Sequence, residues 1–477
     1  MTNPASQEHK LAPNILGLFE SSIMGVAGSA PAYSIAATTA ALFAAVGLGG
    51  PAALLYCGIA MFGIVFAFNT LNRTEANAGA TYAWVRRGLH PALGYICGWS
   101  LIVCSTIFMV AATLPAGSAT LSLISTKYEN STGWITIFGT IFFLLMVAAV
   151  AFGVTLTARV QVIMSTVEVG LLVIFAALCL FHATKVEHFT WAWFNPSIFG
   201  SGNNFFAGAL VAAFYYWGWD VTHNLTEETK GSKKTPGYGA LIGVFTVFVL
   251  FEAFTIGTNL VMTQKQISDN SSNVLGVLGQ IVWPGTGGKL IVVAVILSTV
   301  ATIETQMIQV TRTLFSMGRD GTLSPRFGKV HLKWKTPIFA TLTVTVAALL
   351  MFVGSQFIGS VGTIMSDAVS AIGLQISIYY ALAGFSVVVL FRKDIFKNVK
   401  NFIFLGLWPF CGALFMAIVF VKVIPTLNST TLWVGFGSLA VGLIPMFYYW
   451  STGHIYFKMP TREERIGVLV DEVEVNL

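Results

Sequence analysis

The chain has 477 residues, of which 55% are apolar, 13% aromatic and only 10% charged, and its mean hydropathy is +0.77. A soluble protein has about a quarter of its residues charged, so this composition excludes an ordinary water-soluble enzyme and indicates a polytopic membrane protein. The formal charge of +6 lies in short segments between apolar stretches, which is typical of membrane topology rather than nucleic-acid binding. We therefore expect contact with membrane lipid and no nucleic-acid partner.

Twelve stretches are long enough for a membrane-spanning helix, which needs about 20 mainly apolar residues. We call them spans 1 to 12, and together they predict an all-α protein. The connections between them are short, which predicts no inserted soluble domain. The predicted spans are residues 15–45, 51–71, 92–123, 134–154, 157–181, 205–226, 238–263, 288–317, 337–357, 362–391, 401–424 and 431–452.

The basic residues predict the orientation of the spans. With the N-terminus in the cytoplasm, 21 of the 26 Lys and Arg residues fall on the internal side, a strong positive-inside bias. We predict a protein of the cytoplasmic membrane with both termini inside, in tails 1–14 and 453–477. The five basic residues predicted outside are Lys127, Lys185, Lys265, Lys289 and Lys422.

Spans 1 and 6 carry residues that weaken a helix near its middle. Span 1 contains GVAGSAP at residues 25–31, where glycines, serine and proline weaken the i to i−4 hydrogen bonds. Span 6 contains YYWGWD at residues 215–220, a glycine among aromatic residues followed by an acid. Interruptions at corresponding places in two halves point to a transporter binding site. The alternative for either break alone is a close-packing face of small residues.

The offset of five spans between the two breaks predicts an inverted repeat, because an odd offset turns the second copy upside down in the membrane. The first repeat unit would cover residues 15–181 and the second residues 205–391. Spans 11 and 12, at residues 401–452, then lie outside this five-plus-five arrangement.

A broken helix offers freed backbone groups to a substrate. The positive end of a half-helix suits a carboxylate and freed carbonyl groups suit an ammonium, so together they could hold a zwitterion. Aromatic rings in span 6 could hold a cation by their faces, and the alternative is that most of them only pack the helix. These rings belong to Phe214, Tyr215, Tyr216, Trp217 and Trp219.

Four acids lie deep in the predicted spans, with no Lys or Arg at matching depth: Glu168, Asp220, Glu252 and Glu304. Ionisable groups in the bilayer are costly and mark proton relays or substrate contacts. Glu168, Asp220 and Glu304 are therefore candidates for carrying a coupling proton, and Glu168 or Glu304 is also a candidate for meeting a substrate ammonium. The alternative for each is a buried acid bonded to a neighbouring helix, which we favour for Glu252.

Charged residues also cluster at the predicted cytoplasmic ends of spans 6 and 8. Glu227 and Glu228 follow span 6, and Arg312 and Arg319 close span 8. We predict that these residues pair in one transport state and form a gate. The sequence has neither HExxH nor GxxxxGK[ST], and its histidines and cysteines show no metal-ligand spacing, so we expect no catalytic residue, metal site or cofactor.

Three long motifs resemble the amino acid-polyamine-organocation (APC) transporters. Residues 75–87 (EANAGATYAWVRR) and 94–99 (GYICGW) are similar to a signature of that family between spans 2 and 3. Residues 214–220 with 227–236 (EETKGSKKTP) resemble its span 6 segment, and residues 312–325 (RTLFSMGRDGTLSP) resemble the end of its span 8. The motifs occur in the family's order.

The resemblance implies a LeuT-like fold and secondary transport by alternating access, with substrate contacts in the two breaks. The family's G-[ST]-G-I-F motif reads here as residues 25–29. In several proton-coupled members a lysine stands at the position of Glu168, so the charge is reversed here. The implied contact residues are Val26, Ala27, Gly28 and Ser29 with Phe214, Tyr215, Tyr216, Trp217 and Gly218.

We therefore expect a permease that moves an amino acid or related amine by proton symport or exchange, and not an enzyme. A second possibility is a transporter for polyamines or other amines that lacks carboxylate recognition. A third is a transporter-like nutrient sensor, which binds substrate without net flux. A sensor is expected to carry an extended cytoplasmic tail, whereas only about 25 residues follow span 12.

Overall fold

The structure is a computed structural model that describes residues 10–124, 128, 131–183, 185–270, 273–355 and 361–461. Within these ranges the chain is helical, and its single extended contact is a parallel bridge between Leu16 and Thr229. The predicted tail residues 1–9 and 462–477, together with Lys127, lie outside the described residues. The all-α class is confirmed for the part of the chain that is described.

The helices are numbered in chain order. They are α1 (Leu18–Gly28), α2 (Pro31–Val46), α3 (Gly50–Thr74), α4 (Thr81–Gly88), α5 (Pro91–Ile124), α6 (Thr132–Ala151), α7 (Val154–Phe181), α8 (Gly202–Tyr215), α9 (Val221–Asn224), α10 (Thr235–Val261), α11 (Gln264–Asp269), α12 (Val274–Val282), α13 (Gly287–Arg319), α14 (Ile338–Ser355), α15 (Val361–Leu390), α16 (Val399–Asn401), α17 (Trp408–Val423), α18 (Ser429–Leu432) and α19 (Ser438–Ser451). π-Helical turns join α16 to α17 and α18 to α19.

Helical structure lies at each predicted span. Spans 1 and 6 are split, into α1 with α2 and into α8 with α9. Among the described residues, nine helical segments are long and apolar enough to cross a membrane. The connections hold more structure than the sequence predicted, because α4 follows span 2 and both α11 and α12 lie between spans 7 and 8.

Proline begins several of the helices. Pro31, Pro51, Pro236 and Pro409 lie in the first turns of α2, α3, α10 and α17. The first N–H groups of a helix have no partner within it, so proline costs no hydrogen bond there, and its fixed φ already suits the helix. The same residue that interrupts span 1 therefore also starts its second half.

The centre and the periphery of the bundle differ in burial. α5 and α13 pack against each other, and most of their residues are buried. Outer helices instead expose large apolar side chains, as at Leu350, Trp433 and Ile444, which are 69%, 79% and 71% exposed. Water would not favour such a surface, but hydrocarbon does. The fold is that of a multi-pass membrane protein with α5 and α13 at its core.

Candidate functional site

The break in span 1 is formed by Ala30 and Pro31. α1 ends at Gly28, Ala30 has a left-handed φ of +48°, and Pro31 is the first residue of α2. Left-handed backbone costs roughly 1–2 kcal/mol for a residue with a Cβ. Proline has no N–H with which to continue the bonding of α1. The break therefore lies at the end of the predicted segment 25–31 rather than at its glycines.

The break in span 6 is centred on Gly218. α8 ends at Tyr215, Gly218 has a φ of +96°, and α9 begins at Val221. Glycine adopts this conformation without a steric penalty, whereas a side chain would strain it. The glycine that the sequence singled out is thus the residue that allows the chain to turn.

The two breaks touch each other. A Cβ atom added to Gly28 would lie 2.1 Å from the carbonyl oxygen of Gly218, and one added to Gly218 would lie 2.0 Å from the carbonyl oxygen of Gly28. Neither position can accept a side chain while the backbones stay in place. The two breaks therefore meet in the fold through a direct backbone contact.

The N-terminus of α2 is occupied by side chains of the protein. The Ala32 N–H donates to Glu168 Oε1 at 3.0 Å, and the Tyr33 N–H donates to Ser298 Oγ at 3.1 Å. The Ser34 N–H donates to the Ala30 carbonyl at 2.7 Å. This differs from the expectation that these groups are free, because a carboxylate from α7 reaches the half-helix end.

The carbonyl groups at the end of α1 also have partners. The Ala27 carbonyl accepts from the Ala30 N–H at 3.2 Å and from the Thr302 hydroxyl at 2.8 Å. The Val26 carbonyl accepts from the Ser29 N–H at 3.1 Å, and the Ser29 hydroxyl donates to the Gly25 carbonyl at 3.2 Å. The structure thus places Val26, Ala27 and Gly28 in the last turn of α1 and Ser29 at its end, next to the break.

Four aromatic rings, three from α2, α5 and α8 and one from the break in span 6, meet beside the breaks. Tyr33 packs edge-on against Phe108 at 5.4 Å between ring centroids, and Phe108 packs against Trp217 at 5.5 Å. Phe214 lies 6.4 Å from both Tyr33 and Phe108 and 6.3 Å from Trp217. We call this group the aromatic cluster. Phe108 and Tyr33 were missed by the sequence argument, because neither lies in a motif that differs from ordinary core.

Two of the other three predicted rings pack away from this cluster, and the third, Trp219, packs against Phe68 at 5.1 Å. Tyr215 packs against Phe251 of α10 at 4.9 Å, and its hydroxyl lies 3.1 Å from the Thr39 hydroxyl. Tyr216 packs against Phe251 at 5.7 Å and donates to the Leu54 carbonyl at 3.1 Å. Both rings therefore hold span 6 against its neighbours.

Asp220 is bound by three neutral donors. Gln309 Nε2 donates to Oδ2 at 2.7 Å, the Tyr379 hydroxyl to the same oxygen at 3.1 Å, and the Tyr380 hydroxyl to Oδ1 at 3.1 Å. Tyr379 also accepts from Trp217 Nε1 at 2.6 Å. The acid therefore links span 6 to α13 and α15, and the network reaches the aromatic cluster through the indole.

Glu304 and Glu168, two further deep acids, have carboxyl oxygens without hydrogen-bond partners. Glu304 is fully buried beside Gln161 and Thr157, and neither of its carboxyl oxygens has a hydrogen-bond partner of normal geometry among the described residues. Glu168 is also fully buried, and its Oε2 atom is unpartnered in the same sense. Such groups are costly in a structural core and are candidates for a role in function.

The predicted gate residues form two ion pairs of different burial. Arg312 donates to both oxygens of Glu228 at 3.0 Å, and both side chains are fully buried. Arg319 donates to the two oxygens of Glu227 at 3.0 and 2.9 Å, and these side chains are 31% and 22% exposed. All four residues were predicted from the sequence as gate residues, and the fold shows which acid pairs with which arginine.

Two further segments are tied to the ion pairs. The Glu228 carbonyl accepts from the N–H groups of Ile15 and Leu16 at 2.8 and 3.1 Å, and the Leu16 carbonyl accepts from the Lys230 N–H at 2.8 Å. The Ala78 N–H donates to Glu227 at 3.0 Å. The residues preceding α1, the segment after α9 and the α3–α4 connection therefore meet at the end of α13.

A bundle of apolar helices with two contacting breaks defines a membrane transporter, and comparison with known proteins agrees. Residues 16–445 match the family model of the amino acid permeases. The chain therefore belongs to the amino acid permease family, which confirms the resemblance to APC transporters and makes it a transporter rather than an enzyme.

Individual relatives are distant but nearly full length. The chain is similar to the serine/threonine exchanger SteT of Bacillus subtilis, with 24% identity over 78% of this chain and 81% of the relative. It is similar to the low-affinity putrescine importer PlaP of Escherichia coli, with 25% identity over 83% of this chain and 84% of the relative. It also shares its fold with the Eremococcus coleocola manganese transporter, with a TM-score of 0.59 and 11% identity over 92% of this chain and 95% of that one.

Proposed function

We propose that this protein is a secondary transporter that carries an amino acid or a related amine across the cytoplasmic membrane by alternating access. The observation that carries the proposal is the backbone contact between Gly28 and Gly218, where two broken helices meet. Broken helices in two halves of a transporter form the substrate site at the bilayer midplane. The names of the relatives, an exchanger of serine and threonine and an importer of putrescine, support this substrate range.

The proposed topology has twelve spans and both termini in the cytoplasm. It is supported by helical structure at every predicted span and by the positive-inside bias of the basic residues. The five-span offset between the breaks supports a LeuT-like inverted repeat of residues 15–181 and 205–391. Spans 11 and 12 stand outside that repeat.

The proposed substrate site lies beside the two breaks. Its walls would be the span 1 turn Val26–Ser29, with Phe214 and Trp217 of the aromatic cluster. Ring faces attract organic cations, most strongly where water is excluded. Tyr215 and Tyr216 would hold span 6 in place by packing against Phe251. Glu304 would bind a positive group of the substrate or carry a proton.

The proposed gate is the pair of salt bridges Arg312–Glu228 and Arg319–Glu227. Opening this side would separate span 6 from the end of α13, so both pairs would have to part. The closed side is the cytoplasmic one in the proposed topology. Glu168, Asp220 and Glu304 are the proposed carriers of a coupling proton, because each is buried in a span without a basic partner among the described residues.

Transport by the purified full-length protein in liposomes tests the proposal. We expect saturable uptake and counterflow of at least one solute from a panel of amino acids and amines. An imposed inside-alkaline pH gradient would increase accumulation if a proton is coupled, and would leave counterflow unchanged in a pure exchanger. Saturable binding without transport of any panel member would favour a nutrient sensor and would contradict the proposal.

A further inference from the structure

The N-terminus of α2 has no N–H group left for a substrate anion. Pro31 has no N–H, Ala32 donates to Glu168, Tyr33 donates to Ser298, and Ser34 donates to the Ala30 carbonyl. A half-helix N-terminus at a transporter break is the place where a substrate carboxylate would be held, because its N–H groups and dipole favour negative charge. In this protein a carboxylate already lies there.

That carboxylate belongs to the protein itself. Glu168 comes from α7, 136 residues away in the sequence, and it is fully buried. Its second oxygen, Oε2, has no hydrogen-bond partner among the described residues. A substrate carboxylate at the same half-helix end would have to displace Glu168 or lie beside it, and two like charges within about 4 Å repel strongly away from water.

Two further acids near the breaks, Asp220 and Glu304, add negative rather than positive character. Asp220 is held by the neutral donors Gln309, Tyr379 and Tyr380, so no arginine or lysine pairs with it among the described residues. Glu304 is buried with both oxygens unpartnered in those ranges. Nothing in this set is suited to a second anion.

The aromatic cluster supplies the complementary half of a cation site. Its rings, from Tyr33, Phe108, Phe214 and Trp217, pack beside the same turn that Glu168 caps, because Tyr33 follows Ala32 directly. The Tyr33 hydroxyl is buried and unpartnered within the described chain. Ring faces with a nearby acid and a free hydroxyl suit an organic ammonium.

We propose that the substrate is an amine without a carboxylate, and that Glu168 sets this specificity by filling the position of a substrate carboxylate. The inference rests on the proposed transport function and names its substrate class. The amine would bind to the aromatic cluster and the deep acids while Glu168 stays on the Ala32 N–H.

Matched pairs of solutes test this in proteoliposomes that contain the full-length protein. Each pair is an amino acid and its decarboxylated amine: arginine with agmatine, ornithine with putrescine, and leucine with isoamylamine. In the wild type we expect the amine of at least one pair to inhibit or drive uptake at a concentration at least tenfold lower than its amino acid. Amino acids that bind as well as or better than their amines in all three pairs would overturn the inference and leave the transport function intact.

The variant Glu168→Ala tests the proposed cause. It frees the Ala32 N–H, so the preference for the amine should fall at least tenfold relative to the wild type. Glu252→Ala is the matched control. Glu252 lies in α10 and neither of its carboxyl oxygens has a partner in the described chain, so its loss frees no backbone N–H and the preference for the amine should be unchanged. An unchanged preference in Glu168→Ala would overturn the role of Glu168. If that variant does not fold, the wild-type pairs alone decide the substrate class, and binding of no solute would overturn the transport function as well.

Discussion

The buried ion pair between Arg312 and Glu228 allows a quantitative test of the gate. Both side chains are fully buried and the contact is bidentate at 3.0 Å. Replacing Arg312 with Gln would leave the Glu228 carboxylate buried and uncompensated. Removing one partner of a buried pair costs roughly 3–5 kcal/mol, whereas an exposed pair is worth about 0–1 kcal/mol. The partly exposed pair of Glu227 and Arg319 is therefore the matched control.

The same free energy acts on the conformational balance if the pair exists only in the state closed on this side. A loss of about 3 kcal/mol in one state shifts its ratio to the other by roughly a hundredfold, since about 1.4 kcal/mol corresponds to a factor of ten. Arg312→Gln should therefore favour the state in which this side is open. Arg319→Gln should shift the ratio by no more than about fivefold.

Accessibility of an introduced cysteine measures this shift. Among the native cysteines Cys411 is exposed and the other four are buried, so Cys411→Ser gives a parent protein with no exposed native cysteine to react with the label. Thr313→Cys places a thiol at a fully buried site between the two gate arginines of α13, where Thr313 now accepts from Asn224 at 3.2 Å. A membrane-impermeant maleimide should label it at least tenfold faster in Arg312→Gln than in Arg319→Gln.

Equal labelling in Arg312→Gln, Arg319→Gln and the parent would show that the buried ion pair does not hold this side closed. A double variant separates gating from general damage. Glu228→Gln with Arg312→Gln removes both charges, so it should be more stable to detergent-induced unfolding than either single variant. A double variant less stable than both singles would show that the cost comes from packing rather than from an unpaired charge.

Three further outcomes are expected. Gly28→Ala should lower the free energy of unfolding by about 1–3 kcal/mol, because its Cβ would meet a carbonyl oxygen at 2.1 Å. Gly133→Ala is the control, since a Cβ there meets open space and the substitution should be neutral or stabilising. Equal effects of the two substitutions would contradict the backbone contact between Gly28 and Gly218. Tyr380→Phe removes one of three hydrogen bonds to Asp220 and should cost roughly 1.5–3 kcal/mol if the acid is charged, and a loss well below that in reversible unfolding would indicate a neutral acid. Glu304→Gln should abolish substrate accumulation driven by a pH gradient while leaving substrate exchange largely intact. Accumulation at the wild-type level would show that Glu304 does not carry the coupling proton.

Features that depend on neighbouring residues can be predicted from the sequence alone. The length of each apolar stretch predicted the spans, since about 20 residues cross a bilayer. Pro31 and Gly218 predicted the breaks, because proline lacks an N–H and glycine tolerates positive φ whatever surrounds them. The charges after span 6 and at the end of span 8 predicted a gate.

The distant groups that meet at the breaks depend on how the helices pack. The residue that caps the Ala32 N–H is Glu168, 136 positions away, and no local pattern distinguishes it from a proton carrier. Phe108 joins the aromatic cluster, and Tyr380 binds Asp220, although each lies in an ordinary apolar run. Hydrogen bonds and ring contacts require atoms within a few ångströms, and separation along the chain carries no such information until the helices are packed. Composition and periodicity therefore determine that helices form and where they break, whereas packing determines what the breaks can bind.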